Sequence, residues 1–275
     1  MILSIKAIWQ NAIFGDYRIN IRFGKILQTL SVQIKHSIPL TFKEWADIKG
    51  VYRFLNNKKV TDKSILESQS SIISVEPFAT YLAIHDTTEI DLTGHRGSDN
   101  LGCLSYKNKK GFYIHNTLLT DQAGIPACIF NQYYWNRSAE SLSKKKARKH
   151  LPIEQKESHR WIESVEKVNK YFNAYPQSTL INICDREGDI YEMLSMEYPA
   201  HSHYIIRSCN NRRTQEEEKI WDLVKSQSAI FSYEIEVFDR QTLKKRNAHL
   251  EVKWLPKVEL LPTYRKGEKV KAVNV

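Results

Sequence analysis

The spacing of hydrophobic positions divides the chain into three stretches. In the first, Ile19, Phe23, Ile26, Leu27, Leu30 and Ile34 recur at three- and four-residue steps. That period predicts an amphipathic helix, with Arg18, Arg22 and Lys25 on another of its faces. Pro39 is expected to end this region. Thr41-Phe42-Lys43-Glu44 reads as a capping box, a hydroxyl followed three residues on by Glu. The helix it opens carries Trp45, Ile48, Tyr52 and Leu55 on one stripe. Asn56-Asn57 closes that helix, and Thr61-Asp62 opens a short one through Leu66.

From about residue 75 the pattern becomes that of strands. Tyr81–Asp86, Phe112–Leu119 and Ile125–Trp135 are rich in β-formers. A helix is expected over Glu154–Phe172, with Trp161, Val165, Val168 and Phe172 on one face. Strand 178–184, helix 189–197 and strand His203–Arg207 follow, a succession that predicts a mixed α/β sheet. The last stretch reads as a short helix at Ile220–Lys225 and then antiparallel strands at Phe231–Phe238, His249–Trp254 and Val270–Val275. Gln241–Arg246 is a basic connector between them. The fold class is thus α/β, or mixed α+β, with an all-helical N-terminal domain (1–70), a mixed-sheet domain (71–275) and a β-rich segment from about residue 210.

Two carboxylates end predicted strands. Asp185 follows the apolar run Thr179–Ile183 and Cys184, and Gly188 then breaks the chain. Asp86 ends Tyr81-Leu82-Ala83-Ile84-His85-Asp86. The carboxyl ends of strands are where α/β sheets place their chemistry. Hard divalent ions such as Mg²⁺ or Mn²⁺ take carboxylate ligands and act on phosphate esters. Each Asp also has a plainer reading, as a turn residue or helix cap. Glu187 and Asp189 compete with Asp185, although Asp189 reads as the cap of the helix after it. His115 lies in a strand, where a satisfied core histidine is the plain reading. His201-Ser202-His203 lacks the further ligands a metal needs.

Composition adds a partner. Lys and Arg number 41 against 31 Asp and Glu, a net charge of +10. Residues 1–70 hold 11 basic and 5 acidic residues, which is +6 of that total. Such an excess suits a nucleic-acid backbone, and a solvated basic surface is the alternative. Lys107, Lys109, Lys110, the run Lys144–His150, and Arg207, Arg212 and Arg213 are further phosphate-contact candidates. No apolar run approaches the 18 or so residues of a membrane span. No secretory leader pattern opens the chain. Cys103, Cys128, Cys184 and Cys209 form no C-x-x-C pair and read as buried free thiols of a reducing cytosol. P-loop, dinucleotide and G-x-S-x-G patterns are missing.

Short elements in order carry a resemblance. They are Gly15-Asp16 with Arg18 and Arg22, Tyr52-Arg53-Phe54 before Asn56, Asp86-Thr87-Thr88, His115, Lys156-Glu157-Ser158 with Trp161, Asp185 through Ile190, and Arg207-Ser208. In this order and spacing the chain resembles the DDE transposases of bacterial insertion sequences, of the IS-four type and its Tn-five-like branch. The resemblance implies an RNase H-like core holding two divalent ions, Mg²⁺ or Mn²⁺, with Asp86 and Asp185 as catalytic ligands. It implies DNA contacts by Arg18, Arg22, Tyr52, Arg53 and Arg207. It further implies cut-and-paste cleavage of double-stranded transposon ends, transfer into target DNA, a synaptic dimer, and residence at the nucleoid in the bacterial cytosol.

One departure bears on activity. The family's third carboxylate is a Glu in a Tyr-x-x-Arg-x-x-x-Glu-x-x-x-x-x-x-Lys signature after the β-rich insertion. Tyr264-Arg265 and Glu268 do not have that spacing. The chain is therefore expected to be the front part of a transposase, weakly active or inactive alone. A non-catalytic fragment that occupies transposon ends, or inhibits an intact transposase, is the alternative.

Overall fold

A computed structural model describes residues 8, 10–32, 36–70, 73–97, 101–106, 108–138, 151–215, 217–240, 243–256, 258–261 and 273–274. They divide into two compact units, one of Met1–Asp185 with Tyr198–Ile206 and one of Arg186–Glu197 with Arg207–Val275. Ile34, Lys107, the run Lys144–His150, Tyr264, Arg265 and Glu268 lie outside the described residues.

In the first unit, every regular element described before residue 71 is a helix: α1 (Tyr17–Val32), α2 (Ile38–Thr41), α3 (Trp45–Leu55) and α4 (Asp62–Ser70). Gly15 takes φ +70°, a conformation that glycine adopts without steric cost. Asp16 then caps α1, its carboxylate accepting the Arg18 backbone N–H at 2.9 Å. Phe14, Phe23 and Phe54 pack ring against ring with Ala12, Ile26, Phe42 and Val51 as the core of these helices.

Four local features differ from the sequence expectation. Thr41 does not cap α3: it ends α2, and its hydroxyl donates to the His36 carbonyl at 3.3 Å. Glu44 takes the cap position instead, without a side-chain cap bond. Pro39 sits in the first turn of α2 rather than at a stop, because its fixed φ suits a helix start. The face of α3 that is buried is Gly50, Val51 and Phe54, so Trp45, Tyr52 and Leu55 are left exposed. The reciprocal capping box belongs to α4, where Thr61 and Ser64 exchange backbone-to-side-chain bonds of 2.9 and 3.1 Å. This helix also runs four residues further than expected, to Ser70.

The sheet contains β1 (Thr80–Asp91), β2 (Gly102–Cys103), β3 (Lys110–Asp121), β4 (Pro126–Trp135), β5 (Thr179–Cys184) and β6 (Ser202–Ile206). Its order is β4–β3–β1–β5–β6, with the short β2 also on β3. β1, β3 and β4 form an antiparallel meander, and β5 and β6 continue it in parallel. Helix α5 (His159–Phe172) buries Trp161, Ile162, Val165, Val168 and Phe172, a helical-period stripe. Val168 and Phe172 of that stripe join Tyr81, Ala83, Leu119, Cys128 and Leu180 in the main core. The mixed sheet is as the sequence pattern predicted.

The second unit holds the 3-10 turn Arg186–Gly188, α6 (Tyr191–Ser195), α7 (Ile220–Ser226), the hairpin of β7 (Phe231–Asp239) with β8 (Lys244–Val252), and the pair β9 (Glu259–Leu260) and β10 (Val273–Asn274). Lys244, Lys245 and Arg246 belong to β8 rather than to a connector, since they pair with Asp239, Phe238 and Val237. Asp189 is not a helix cap either; Ile190 holds that position. Asp189 is buried and accepts from Arg212 Nη2 at 2.7 Å, and from the backbone N–H groups of Cys209 and Asn210 at 2.7 and 2.8 Å. Burial alone would raise its pKa, but these donors outweigh burial and lower it.

Candidate functional site

Asp86 does not end its strand. β1 continues to Asp91, paired with β3. What ends is its parallel neighbour: the last registered β1–β5 pair is His85 with Cys184. Asp86 and Asp185 each follow that pair by one residue. Side chains alternate between sheet faces, and His85 and Cys184 are buried toward α5. Alternation puts Asp86 on the opposite face; Asp185, the first residue past β5, continues that alternation beside it where adjacent strands are about 4.8 Å apart, and both acids are exposed.

The residues on either side of Asp86 lock its backbone. Asn182 donates from Nδ2 to Asn169 Oδ1, to Ser202 Oγ and to the His203 carbonyl at 3.1–3.3 Å. Its Oδ1 is thereby left to accept from His85 Nε2 at 3.1 Å, and His85 Nδ1 accepts from the Thr117 hydroxyl at 3.0 Å. On the other side, Arg160 donates from Nε and Nη2 to Thr87 Oγ1 at 3.2 and 3.1 Å. The Thr87 hydroxyl donates in turn to His115 Nδ1 at 2.9 Å. Arg160 also lies 4.7 Å from the Trp135 ring centroid, a cation–π contact.

Both histidines are held neutral. Burial, partly offset by the Asn182 bond, lowers the His85 pKa to about 4. Burial and then the Arg160 charge lower that of His115 to about 3. Next to Asp185, burial and the neighbouring carboxylate push the Cys184 thiol up to about 12. His115 is thus a core residue, although its Nε2 has no hydrogen-bond partner among the described residues. Asn182, Arg160 and Thr117 were not recognisable as part of this support from sequence, because the strand register that joins them spans up to 97 residues of chain.

The donor set fits a hard cation. Two adjacent carboxylates on a solvent-facing edge suit Mg²⁺ or Mn²⁺, ions that keep several waters. Among the described residues, no group of three His, Cys, Asp or Glu side chains converges.

Four of the five candidate DNA contacts, Arg18, Arg22, Tyr52 and Arg53, lie elsewhere in the first unit. Lys25 pairs with Asp47 at 2.6 Å, and the Arg22 guanidinium lies over Gly50, where any Cβ would collide with it. These contacts run α1 and α3 antiparallel, so one further turn brings Arg18 level with Arg53. Arg18 is exposed and forks onto Asp16 at 3.1 and 3.3 Å, and those hydrogen bonds lower the Asp16 pKa. Tyr52 and Arg53 are exposed on α3. Arg207 is exposed after β6, in the second unit. Arg212 is not available as a phosphate contact, because Asp189 engages it. Lys109 is paired with Asp91 at 2.8 Å. All four cysteines are free, three buried and Cys209 exposed. Among the described residues, no helix is long and apolar enough to cross a membrane.

Residues 5–60 match the family model described as transposase DNA-binding. The match spans α1, α2 and α3 with Arg18, Arg22, Tyr52 and Arg53. Among solved structures the chain is similar to "Cryo-EM structure of piggyBac transposase synaptic complex with hairpin DNA", with 11% identity and a TM-score of 0.37. The alignment covers 91% of this chain and 54% of that one, so the chain spans about half the length of that relative. A likeness this weak specifies neither fold nor function.

Proposed function

We propose that the chain is a transposase of the DDE type, of the IS-four kind and its Tn-five-like branch. In this reading the helices before residue 71 form a domain that grips double-stranded transposon ends. The sheet of residues 71–275 is an RNase H-like core with a β-rich insertion from about residue 210. The antiparallel meander of β1, β3 and β4, continued by parallel β5 and β6, supports that reading. The single observation that carries the catalytic part is the adjacent position of Asp86 and Asp185. The match of residues 5–60 supports the DNA-binding part.

Asp86 and Asp185 would hold the divalent ion. Bound there, it would supply Lewis acidity to a phosphate oxygen and lower the pKa of a coordinated water. The residues of this chain do the positioning. His85 and Thr87, pinned from both sides, keep the Asp86 carboxylate on the open face. Arg18, Arg22, Tyr52 and Arg53 hold the duplex, and Arg207 adds a phosphate contact. A synaptic dimer and capture of target DNA belong to the same reading, as does residence at the bacterial nucleoid. Since no third carboxylate joins the pair among the described residues, the chain alone is expected to bind metal weakly and cleave little.

The second reading, a non-catalytic protein that occupies transposon ends or inhibits an intact transposase, is favoured by that same two-acid set. Incubation of the chain with transposon-end and random DNA, with Mg²⁺ or Mn²⁺, separates these readings. Specific binding with little nicking is expected. Efficient nicking abolished by Asp185→Ala would show that a third acid is not needed. Equal affinity for end and random sequences would contradict end recognition.

A further inference from the structure

Asp86 is the first member of a longer row. Across β3, the registered partner of Asp86 is Asn116; across β4, the partner of Asn116 is Gln132. Directly opposed residues in antiparallel strands share a face. Their flanking neighbours His115, Thr117 and Asn131 are buried, Asn131 against Ser164 of α5. Asp86, Asn116 and Gln132 therefore form one polar row over three strands on the face away from α5, and Asp185 follows the end of β5 beside it. The neighbouring row on that face is apolar: Ile183, Ile84, Leu118 and Ile129.

The row has a direction. Gln132 Nε2 donates to Asn116 Oδ1 at 2.9 Å. With its oxygen taken by Gln132, the Asn116 amide keeps its NH₂ as the group left to donate, on a residue whose registered β1 partner is Asp86. That NH₂ makes no hydrogen bond among the described residues, although Asn116 is half-buried. An oriented donor beside two acids meets the need of a third party carrying anionic oxygen. Around a metal-holding pair, that party is a backbone phosphate.

We propose that Asn116 is a substrate-positioning residue: its Nδ2–H donates to a non-bridging oxygen of the DNA phosphate that sits at Asp86 and Asp185, and Gln132 fixes its orientation. This rests on the carboxylate pair being the metal site. One hydrogen bond to a charged oxygen corresponds to roughly tenfold in affinity.

The test measures binding of the full chain to a labelled random-sequence duplex by anisotropy, in EDTA and in Ca²⁺ at matched ionic strength. The quantity read is the ratio of the two affinities. Mn²⁺ binding without DNA is measured beside it by electron paramagnetic resonance, and thermal melting reports folding. Asp86→Ala defines the ratio with no ion at the pair. Asn116→Ala is expected to drop the wild-type ratio about tenfold, toward that of Asp86→Ala, with Mn²⁺ binding retained. The isosteric Asn116→Asp should lose the ratio equally while binding Mn²⁺ more tightly. Gln132→Leu should lose part of it. A wild-type ratio in folded Asn116→Ala or Asn116→Asp overturns the proposal, and a lowered melting temperature with that ratio intact marks Asn116 as merely structural. If Asp86→Ala itself leaves Mn²⁺ binding unchanged, the underlying metal-site reading has failed, and the proposal with it.

Discussion

Asp86 and Asp185 each stand one residue beyond the registered pair His85–Cys184, where β5 stops and β1 runs on. The site is a place where one strand loses its parallel neighbour. Its geometry is set by the alternation of the pleat, and the core bonds of His85 and Thr87 hold it there.

Gly50→Ala separates DNA contact from stability. The new methyl meets only the flexible end of Arg22, which moves aside, and alanine is the better helix former by up to about 1 kcal/mol. Melting temperature is expected to hold or rise, while affinity for DNA falls because Arg22 no longer keeps its place on α3. Unchanged affinity, with Arg22 displaced, would remove Arg22 from the interface.

The arginine contacts are also read by salt. Removing one phosphate-contacting arginine, Arg18 or Arg53, should reduce the slope of log affinity against log salt by about 1. A slope identical to wild type would show that the residue does not touch phosphate.

Asp189→Asn tests the second unit. Asp189 and Arg212 are 4% and 7% exposed, so the substitution leaves a buried guanidinium without its counter-charge. The cost expected for such a break is about 3–5 kcal/mol. Denaturant unfolding measures it, and a loss under about 1 kcal/mol would contradict the account.

Acid sensitivity follows from the two buried histidines. Their folded pKa values, about 4 and about 3, lie below the unfolded value of 6.5. Between those limits the unfolded chain binds more protons, so stability rises with pH. The contribution is complete above about pH 6.5 and is lost as pH falls toward 4, by up to about 1.4 kcal/mol per pH unit for each histidine. Unfolding free energy measured from pH 7 to 4 should show that slope. His115→Asn should reduce it by about half in that window, and a slope unaffected by His115→Asn would be inconsistent with a neutral buried imidazole.

Hydrophobic period was enough to read α1, α5 and five of the six strands of the mixed sheet, but it missed the two-residue β2, ended β1 five residues early and began α5 five residues early. Short-range polar signals were less reliable. Thr41 and Asp189 both have the chemistry of caps, but Thr41 was drawn into a Pro-initiated turn, and Asp189 found a stronger partner 23 residues away in Arg212. The acids themselves were readable from their place after apolar runs. Asn116 was not, because its meaning lies in the register of three strands and in the bond from Gln132. The same holds for Asn182 and Arg160, whose partners on β1 lie 97 and 73 residues away in sequence.

The most direct test of the account is a titration of the wild-type chain, Asp86→Ala and Asp185→Ala with Mn²⁺, following free ion by electron paramagnetic resonance. The account predicts weak binding by the wild type that is lost in both single variants, since one ion needs both carboxylates. Wild-type binding in either folded variant would contradict it.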